Sequence, residues 1–480
     1  MNYEEKYLKY KNKYLELKQL GGMLSLQDLS AKQIAINSID ELISLLTQYI
    51  LSSSEINKII QERNLQFLNL EQVLFFFDKE LTHLTFGPKF NIDIGENILP
   101  QSLTHLTFGR EFNRDIGVNI LPQLLTHLTF DGKFNLGVNV LPKSLTHLTL
   151  NGKFDRDISP NVLPQSLTHL TFYRFDRDIS PTVLPQSLTH LTFYEFNRDI
   201  VVNVLPQSLT HLTFDRFDRK IGVNVLPQSL THLTFGYEFN RDIDVNVLPQ
   251  SLTHLTFDPY SQFNRNIGVN VLPQSLTHLT FGSEFNRDIG LTVLPQSLTH
   301  LTFGSNFNRD IGPNVLPPSL THLDFGYEFD RDIDLNVLPQ SLTHLTFSTK
   351  FNKDISVDVL PKSLTHLTFG FYFNKNIGPN VLPRSLTHLT FGYDFNIYIY
   401  LYKTGIQHEL PPSLTHLTFN SEKINSYIPF NLNKGKNILP KSLNELILLE
   451  SSYKQYKNEL DKIYNIQNST GDEYIKLIKQ

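Results

Sequence analysis

The sequence predicts a mainly-β solenoid of about seventeen short turns, with a small helical region before it and a helical cap after it. Three observations predict this. Leu-Pro pairs recur from Leu99 to Leu439, mostly 21 or 22 residues apart. Sixteen copies of "LTHL" keep the same beat from Leu81 to Leu417, and a worn copy, "LNEL", follows at 443–446. A proline in nearly every unit, with glycines in many, breaks any long helical period. A unit this short cannot bury its own apolar face, but stacked copies can.

The elements follow in order. In residues 1–22, Tyr3, Tyr7, Tyr10, Tyr14 and Leu17 are spaced 4-3-4-3. That is a coiled-coil-like seam on a charged helix, which Gly21-Gly22 stops. Residues 23–78 read as a helical N-terminal cap. Three capping boxes punctuate it: Ser30 with Gln33, Ser38 with Glu41, and Ser52 with Glu55. Leu42, Leu45, Leu46, Tyr49 and Ile50 give it an apolar stripe.

Residues 79–448 are the array. In one copy, Leu276, Leu279 and Phe281 form L-x-x-L-x-F, the leucine-rich-repeat strand pattern with Phe in its last slot. Strand alternation sends Leu279 and Phe281 inward, with His278 and Thr280 outward on the concave side. The half-turn "FNRDIGLTVLPQS" is polar and proline-bearing, so extended or turn-like segments are expected there rather than helices. Residues 449–480, "ESSYKQYKNELDKIYNIQ…", read as a helical C-terminal cap with a loose tail.

Fifteen copies carry Phe followed by Asn or Asp. Eleven have Asn, including Asn286 and Asn308, and four have Asp: Asp155, Asp176, Asp218 and Asp330. Asn donates and accepts, whereas ionised Asp only accepts. A position that tolerates both is expected to use its oxygen to accept backbone N–H groups in a buried turn. Stacked copies then form a ladder.

The string "LPxSLTHLTFGxxFNxxI" resembles the FNIP repeat, a short relative of the leucine-rich repeat found in amoebae and in the giant viruses that infect them. The resemblance spans about residues 79–448. The shortened copy at Phe134-Asn135-Leu136 and the irregular stretch at 396–412 depart from it. The opening "KYLKYKNKYLELK" also resembles the start of many giant-virus proteins. The resemblance implies a protein-interaction role and no enzymatic activity, and it supplies no ligand.

Composition narrows the rest. A net charge of −5 and a pI near 6.4 are too mild to suggest a nucleic-acid partner. The absence of cysteine excludes disulfides and thiolate chemistry. No apolar run reaches the ~18 residues that span a bilayer, and the charged start is no signal peptide. The sequence therefore reads as intracellular, with no membrane partner and no cofactor.

Sixteen of the seventeen histidines sit in "LTHL", leaving His408 apart. Side by side at ~4.8 Å, these rings do not converge on a metal, and no single residue stands out as a catalyst. No catalytic, cofactor or metal site is expected. The histidines and threonines, His278, Thr280 and His300 among them, are expected to form a polar structural ladder. Variation falls in the loops after each strand, where Tyr237, Tyr260, Tyr327, Phe371, Tyr372 and Tyr393 are candidate partner contacts. The expected function is a non-enzymatic scaffold for protein–protein interaction. Two alternatives are a ubiquitin-ligase adaptor with a degenerate F-box at the N-terminus, and a structural component of a virus particle.

Overall fold

Each "LTHL" strand begins at the motif histidine because the residues before it form a turn. In "LPQSL", the Leu276 N–H returns to the Pro273 carbonyl (3.1 Å), and the chain then runs straight through "THLT". The computed structural model describes residues 37–46, 51–75, 80–132, 140–154, 158–375, 377–395, 410–420, 439–470 and 474–479. The N-terminal helix expected over 1–22, the Ser30–Gln33 box, Asp155 and His408 lie outside these residues.

The chain divides into two units, Met1–Leu230 and Thr231–Gln480. The first opens with helices α1 (Ile39–Leu46), α2 (Ser53–Glu62) and α3 (Leu70–Phe75). At α2 the Ser52 hydroxyl accepts the Glu55 N–H and the Glu55 carboxylate accepts the Ser52 N–H, a complete capping box. At α1 the Ser38 hydroxyl accepts from Glu41 N–H, but the Glu41 carboxylate reaches Asn37 N–H instead. Ile56, Ile59 and Ile60 form the buried side of α2. Seven strands follow: β1 (His83–Thr85), β2 (His105–Phe108), β3 (His127–Phe130), β4 (His147–Phe154), β5 (His169–Phe175), β6 (His190–Phe193) and β7 (His211–Phe214). They pair in parallel, histidine opposite histidine. A lone bridge from Phe67 to Phe86, within "LQFLNL", extends this pairing toward the helices.

The second unit holds β8 (His232–Phe235), β9 (His254–Phe257), β10 (His278–Thr280), β11 (His300–Thr302), β12 (His322–Asp324), β13 (His344–Thr346), β14 (His366–Thr368), β15 (His388–Phe391), β16 (His416–Phe419) and β17 (Glu445–Leu449). These strands too are parallel and in register. Helix α4 (Glu450–Leu460) then leads into β18 (Tyr464–Thr470) and β19 (Tyr474–Lys479).

The C-terminus corrects the sequence reading. The helix stops at Leu460, and the expected loose tail is a hairpin whose β19 runs antiparallel to both β17 and β18. Its cause is a period of two. Ile475 and Leu477 are buried, with Tyr474, Lys476 and Ile478 more open between them, so the segment covers the last strand edge as a strand.

Inside each unit the core is layered. Leu276, Leu279, Phe281 and Phe285 are all at most 2% exposed. Phe281 and Phe285 stack at 3.8 Å within a turn, and Phe281 meets Phe303 of the next turn at 6.0 Å. The turns sit so close that a Cβ on Gly304 would lie 1.7 Å from the Gly282 carbonyl oxygen, so only glycine fits. On the far side, Gly290–Val293 closes a four-residue turn with Val293 N–H on Gly290 O (3.4 Å). The third residue of that turn is left-handed in most copies, usually Asn, as at Asn270 (φ +63°), but Thr at 182 and 292.

Candidate interaction faces

Two surfaces present repeated chemistry: the outer face of the strands, and the loops that follow them.

On the outer face the Thr277 hydroxyl lies 3.1 Å from the Thr253 carbonyl and 2.9 Å from His278 Nδ1. The same Thr253 carbonyl also accepts the Thr277 and His278 N–H groups (2.9 and 3.0 Å), so the hydroxyl joins each ring to a carbonyl that the backbone holds as well. The same two contacts recur at Thr299–His300, Thr321–His322 and Thr343–His344, and in the first unit at Thr104–His105 and Thr146–His147. His278 and His300 stack at 4.2 Å with planes 11° apart.

Burial against neighbouring turns, and then the positive charge of adjacent histidines, lowers the pKa of His278, His300, His322 and His344. His105 and His147 fall to about 4 for the same reasons. At neutral pH the face is uncharged at these rings. The stacked rings run parallel and do not converge, and no group of three or more metal-ligating side chains occurs among the described residues. Thr280 lies half-buried beside the histidines, paired in register with Thr256 and Thr302.

The asparagines form a separate ladder. Asn264 Oδ1 accepts the Asn286 N–H, Asn286 Oδ1 accepts Asn308 N–H, and Asn308 Oδ1 accepts Asp330 N–H, each at 3.1 Å. Asp330 Oδ1 in turn accepts Asn352 N–H at 3.0 Å. These residues are half-buried rather than buried, because the ladder runs along a surface edge. Sequence reasoning missed two companions. Arg309 Nε donates to both the carbonyl and the Oδ1 of Asn286 (3.1 Å each) and lies 3.9 Å from Asp288. The Ser297 hydroxyl donates to the Leu276 carbonyl (2.7 Å), a bond repeated at Ser319 and Ser341. Their fixed offsets were visible, but not the carbonyl each one reaches.

The loop aromatics fall into distinct settings. In the second unit Tyr260 is 79% exposed, in the inserted loop "DPYSQ". Tyr237 is half-buried and donates to Glu238 (2.9 Å). Tyr327 is exposed, with Lys350 Nζ 5.6 Å from its ring centroid, and that lysine is paired with Glu328 at 2.8 Å. Phe371 stacks on Tyr393 (4.8 Å) and meets Tyr372 edge-on (4.9 Å), while Phe371 and Tyr372 stay exposed. The structure thus gathers Phe371, Tyr372 and Tyr393. Unlike them, Tyr260 stands on its own insertion. In the first unit, exposed Tyr173 and Tyr194 stack at 4.4 Å, a pair the sequence reading did not single out. Two tyrosines 21 residues apart were the available signal.

The FNIP repeat model matches residues 77–111, 90–134, 112–153, 134–175, 175–216, 217–258, 263–306, 285–328, 307–350, 329–372 and 373–422. Among solved structures, the chain is similar to CroV588, a giant-virus protein described as a novel circular LRR protein, with 49% identity and a TM-score of 0.71. The match covers 79% of this chain and 58% of that one, so this chain spans little more than half of that neighbour's length. YopM from Yersinia enterocolitica is 19% identical (TM-score 0.40; 83% of this chain, 100% of that one). A chain of the Drosophila Toll–Spatzle complex is 13% identical (TM-score 0.48; 76% and 55%). Comparison with curated proteins gives no match. No helix among the described residues is long and apolar enough to cross a membrane.

Proposed function

Since the chain belongs to the FNIP repeat family, we propose that it is a scaffold that binds a protein partner and performs no chemistry of its own. The observation that carries this reading is the cluster in which exposed Phe371 and Tyr372 meet and Phe371 leans on half-buried Tyr393. Large aromatic side chains held rigid by stacking, yet open to solvent, are the anchors that protein interfaces use. The uniform strand face beneath offers the same chemistry at every turn, so the loops carry the discrimination.

The reading extends to the flanks. Residues 23–78 are proposed as a cap rather than an F-box-like adaptor module. Asn57 Nδ2 donates to the Glu80 carbonyl (3.2 Å) and Asn57 Oδ1 accepts the Thr82 N–H (2.9 Å), so α2 is engaged in covering the first strand. The likeness to a giant-virus protein supports a viral origin, with the host cytoplasm as the place of action and the virus particle as the alternative.

The test is affinity capture from host-cell lysate with the full chain and with a Phe371→Ser, Tyr372→Ser, Tyr393→Ser variant of matched melting temperature. A partner held by the first and lost by the second is expected. Equal capture by both would overturn the role of the cluster. Loss of a ligase subunit on substituting exposed residues of α2 would restore the adaptor.

A further inference from the structure

The residue just before the second core phenylalanine of each turn forms a column along the loop edge. Its charge changes sign between the two units. Of its seven members in the first unit, up to Phe217, five are Lys or Arg and two are Glu. Of its eight members in the second, from Phe239 to Phe395, four are acidic and one is Lys. The column one residue earlier holds a single arginine, Arg110, and a single aspartate, Asp215, so it does not cancel the difference. The arginine–aspartate edge beyond the phenylalanine pairs with itself in both units, as Arg198 does with Asp176 (2.9 Å) and Arg331 with Asp310 (3.8 Å).

Both halves of the column are built alike. Each column N–H goes to a carbonyl of the preceding turn: Glu195 to Tyr173 (2.9 Å) and Arg216 to Tyr194 (3.0 Å) in the first unit, Glu328 to Ser305 (2.8 Å) and Lys350 to Tyr327 (2.9 Å) in the second. The buried phenylalanines that follow repeat at 6.3 Å from Phe175 through Phe196 to Phe217, and at 6.0–6.3 Å from Phe285 to Phe351. The two rows are therefore opposite in sign and equal in pitch. In the first unit Glu195 lies between Arg174 (3.5 Å) and Arg216 (3.7 Å), so the trio keeps a surplus positive charge. In the second, Glu238 and Glu284 are met by neutral donors, the Tyr237 hydroxyl (2.9 Å) and the Asn306 amide (3.1 Å), and keep their charge. Glu328 is paired with Lys350. Exposed Tyr173 and Tyr194 stand beside the first row and exposed Tyr327 beside the second.

We propose that the first unit's loop edge docks on the second unit's loop edge of another copy of this chain, setting Arg174 and Arg216 against Glu238, Glu284 and Glu328. This goes beyond the partner-binding reading and does not depend on it. A second copy is the occupant that charge complementarity favours. It brings a row of opposite sign, at the same pitch and on the same backbone frame, whereas a foreign segment would have to match all three independently. Like edges repel, so the charges decide which edges meet. Exposed ion pairs contribute little by themselves, and the tyrosines beside them supply the apolar contact. The screening length at physiological salt, about 8 Å, is close to the pitch of the rows, so the docking is salt-sensitive.

Sedimentation velocity of the full chain over a concentration series tests it. Self-association is expected at low ionic strength, weakened about tenfold by roughly 0.5 M salt. Arg174→Glu with Arg216→Glu makes both edges acidic, and Glu284→Lys with Glu328→Lys makes both basic. Each double variant alone should self-associate about tenfold more weakly. An equimolar mixture of the two should regain association, because each carries the edge the other lacks. Where a reversal lowers the melting temperature, the neutral pairs Arg174→Gln with Arg216→Gln, and Glu284→Gln with Glu328→Gln, should show the same loss at about threefold. Asp288→Asn with Asp310→Asn removes two charges that are 85% and 87% exposed on the arginine–aspartate edge, and should leave association unchanged. A mixture of reversed variants that stays monomeric, or an equal loss from the Asp288 and Asp310 pair, overturns the proposal. So does a wild-type chain that is monomeric at every concentration, which would leave the two edges to foreign partners.

Discussion

The histidine of the strand motif and the asparagine after the second core phenylalanine of each turn both recur along the array, yet the first gives way only once, to Glu445 in the worn last copy, whereas the second is Asp in four of the fifteen copies between Phe90 and Phe395. The structure explains the contrast by counting the atoms that work. The asparagine ladder uses one oxygen per residue to accept the next turn's N–H, and Asn and Asp both have it. The histidine column uses a ring nitrogen that meets the neighbouring hydroxyl, a flat face that stacks on both neighbours, and neutrality. No other side chain supplies all three. Tolerance to substitution therefore follows the number of requirements placed on a side chain, rather than its exposure.

The largest difference between the columns should appear on acidification. Histidine pKa values depressed in the folded state mean that the unfolded chain binds more protons below about pH 6.5. The column's stability is then complete above pH 6.5 and is lost as the pH falls toward about 4, where His105 and His147 titrate. Most carboxylates are still ionised over the upper part of that window, so the melting temperature should drop between pH 7.5 and 5.5 on the histidines' account. Replacing His278, His300 and His322 together with glutamine should flatten the slope. A flat profile in the intact protein would reduce the column to independent surface side chains.

The asparagine ladder should yield a smaller, local effect. Asn286→Ala removes the acceptor of Asn308 N–H and one of the two acceptors of Arg309 Nε. Denaturant unfolding should show a loss of about 1–3 kcal/mol. Asn286→Asp keeps the oxygen and should be milder, since Asp330 already performs this role for Asn352. Equal damage from both would mean that the amide nitrogen matters and that the one-atom account is wrong.

How much of this was legible depended on whether one strand's alternation was enough. Leu279 inward and His278 outward needed only a period of two, and the Leu-Pro beat gave the parallel stacking. The link from each ring through a hydroxyl to the preceding turn was not legible, because it rests on which carbonyl the Thr277 hydroxyl reaches. Asp324 was in plain view as the one Thr replaced, but the Gly326 N–H that its Oδ1 accepts was not. The C-terminal hairpin departs from the helical reading because "ESSYKQYKNEL" has helical spacing, whereas "YIKLIK" beyond it alternates with a period of two.

A third column sharpens the comparison, because there the backbone sets the requirement. The turn before each "VLP" holds its third residue left-handed, at φ +63° for both Asn270 and Thr292. Asn tolerates this conformation, but a β-branched side chain does not. Thr292 is partly compensated by its hydroxyl donating to the Leu291 carbonyl at 2.6 Å. Thr292→Asn should therefore stabilise by about 1 kcal/mol or less, and Asn270→Thr should destabilise by a similar amount. The two sites share a φ value, so opposite signs in the exchanged pair would isolate the backbone as cause. If Thr292→Asn proved neutral while Asn270→Thr destabilised, the hydroxyl bond would be offsetting the strain where it is already formed. If both were neutral, the frequent asparagine at this turn would answer to something other than conformation, and this column would join the histidines in requiring a side-chain partner.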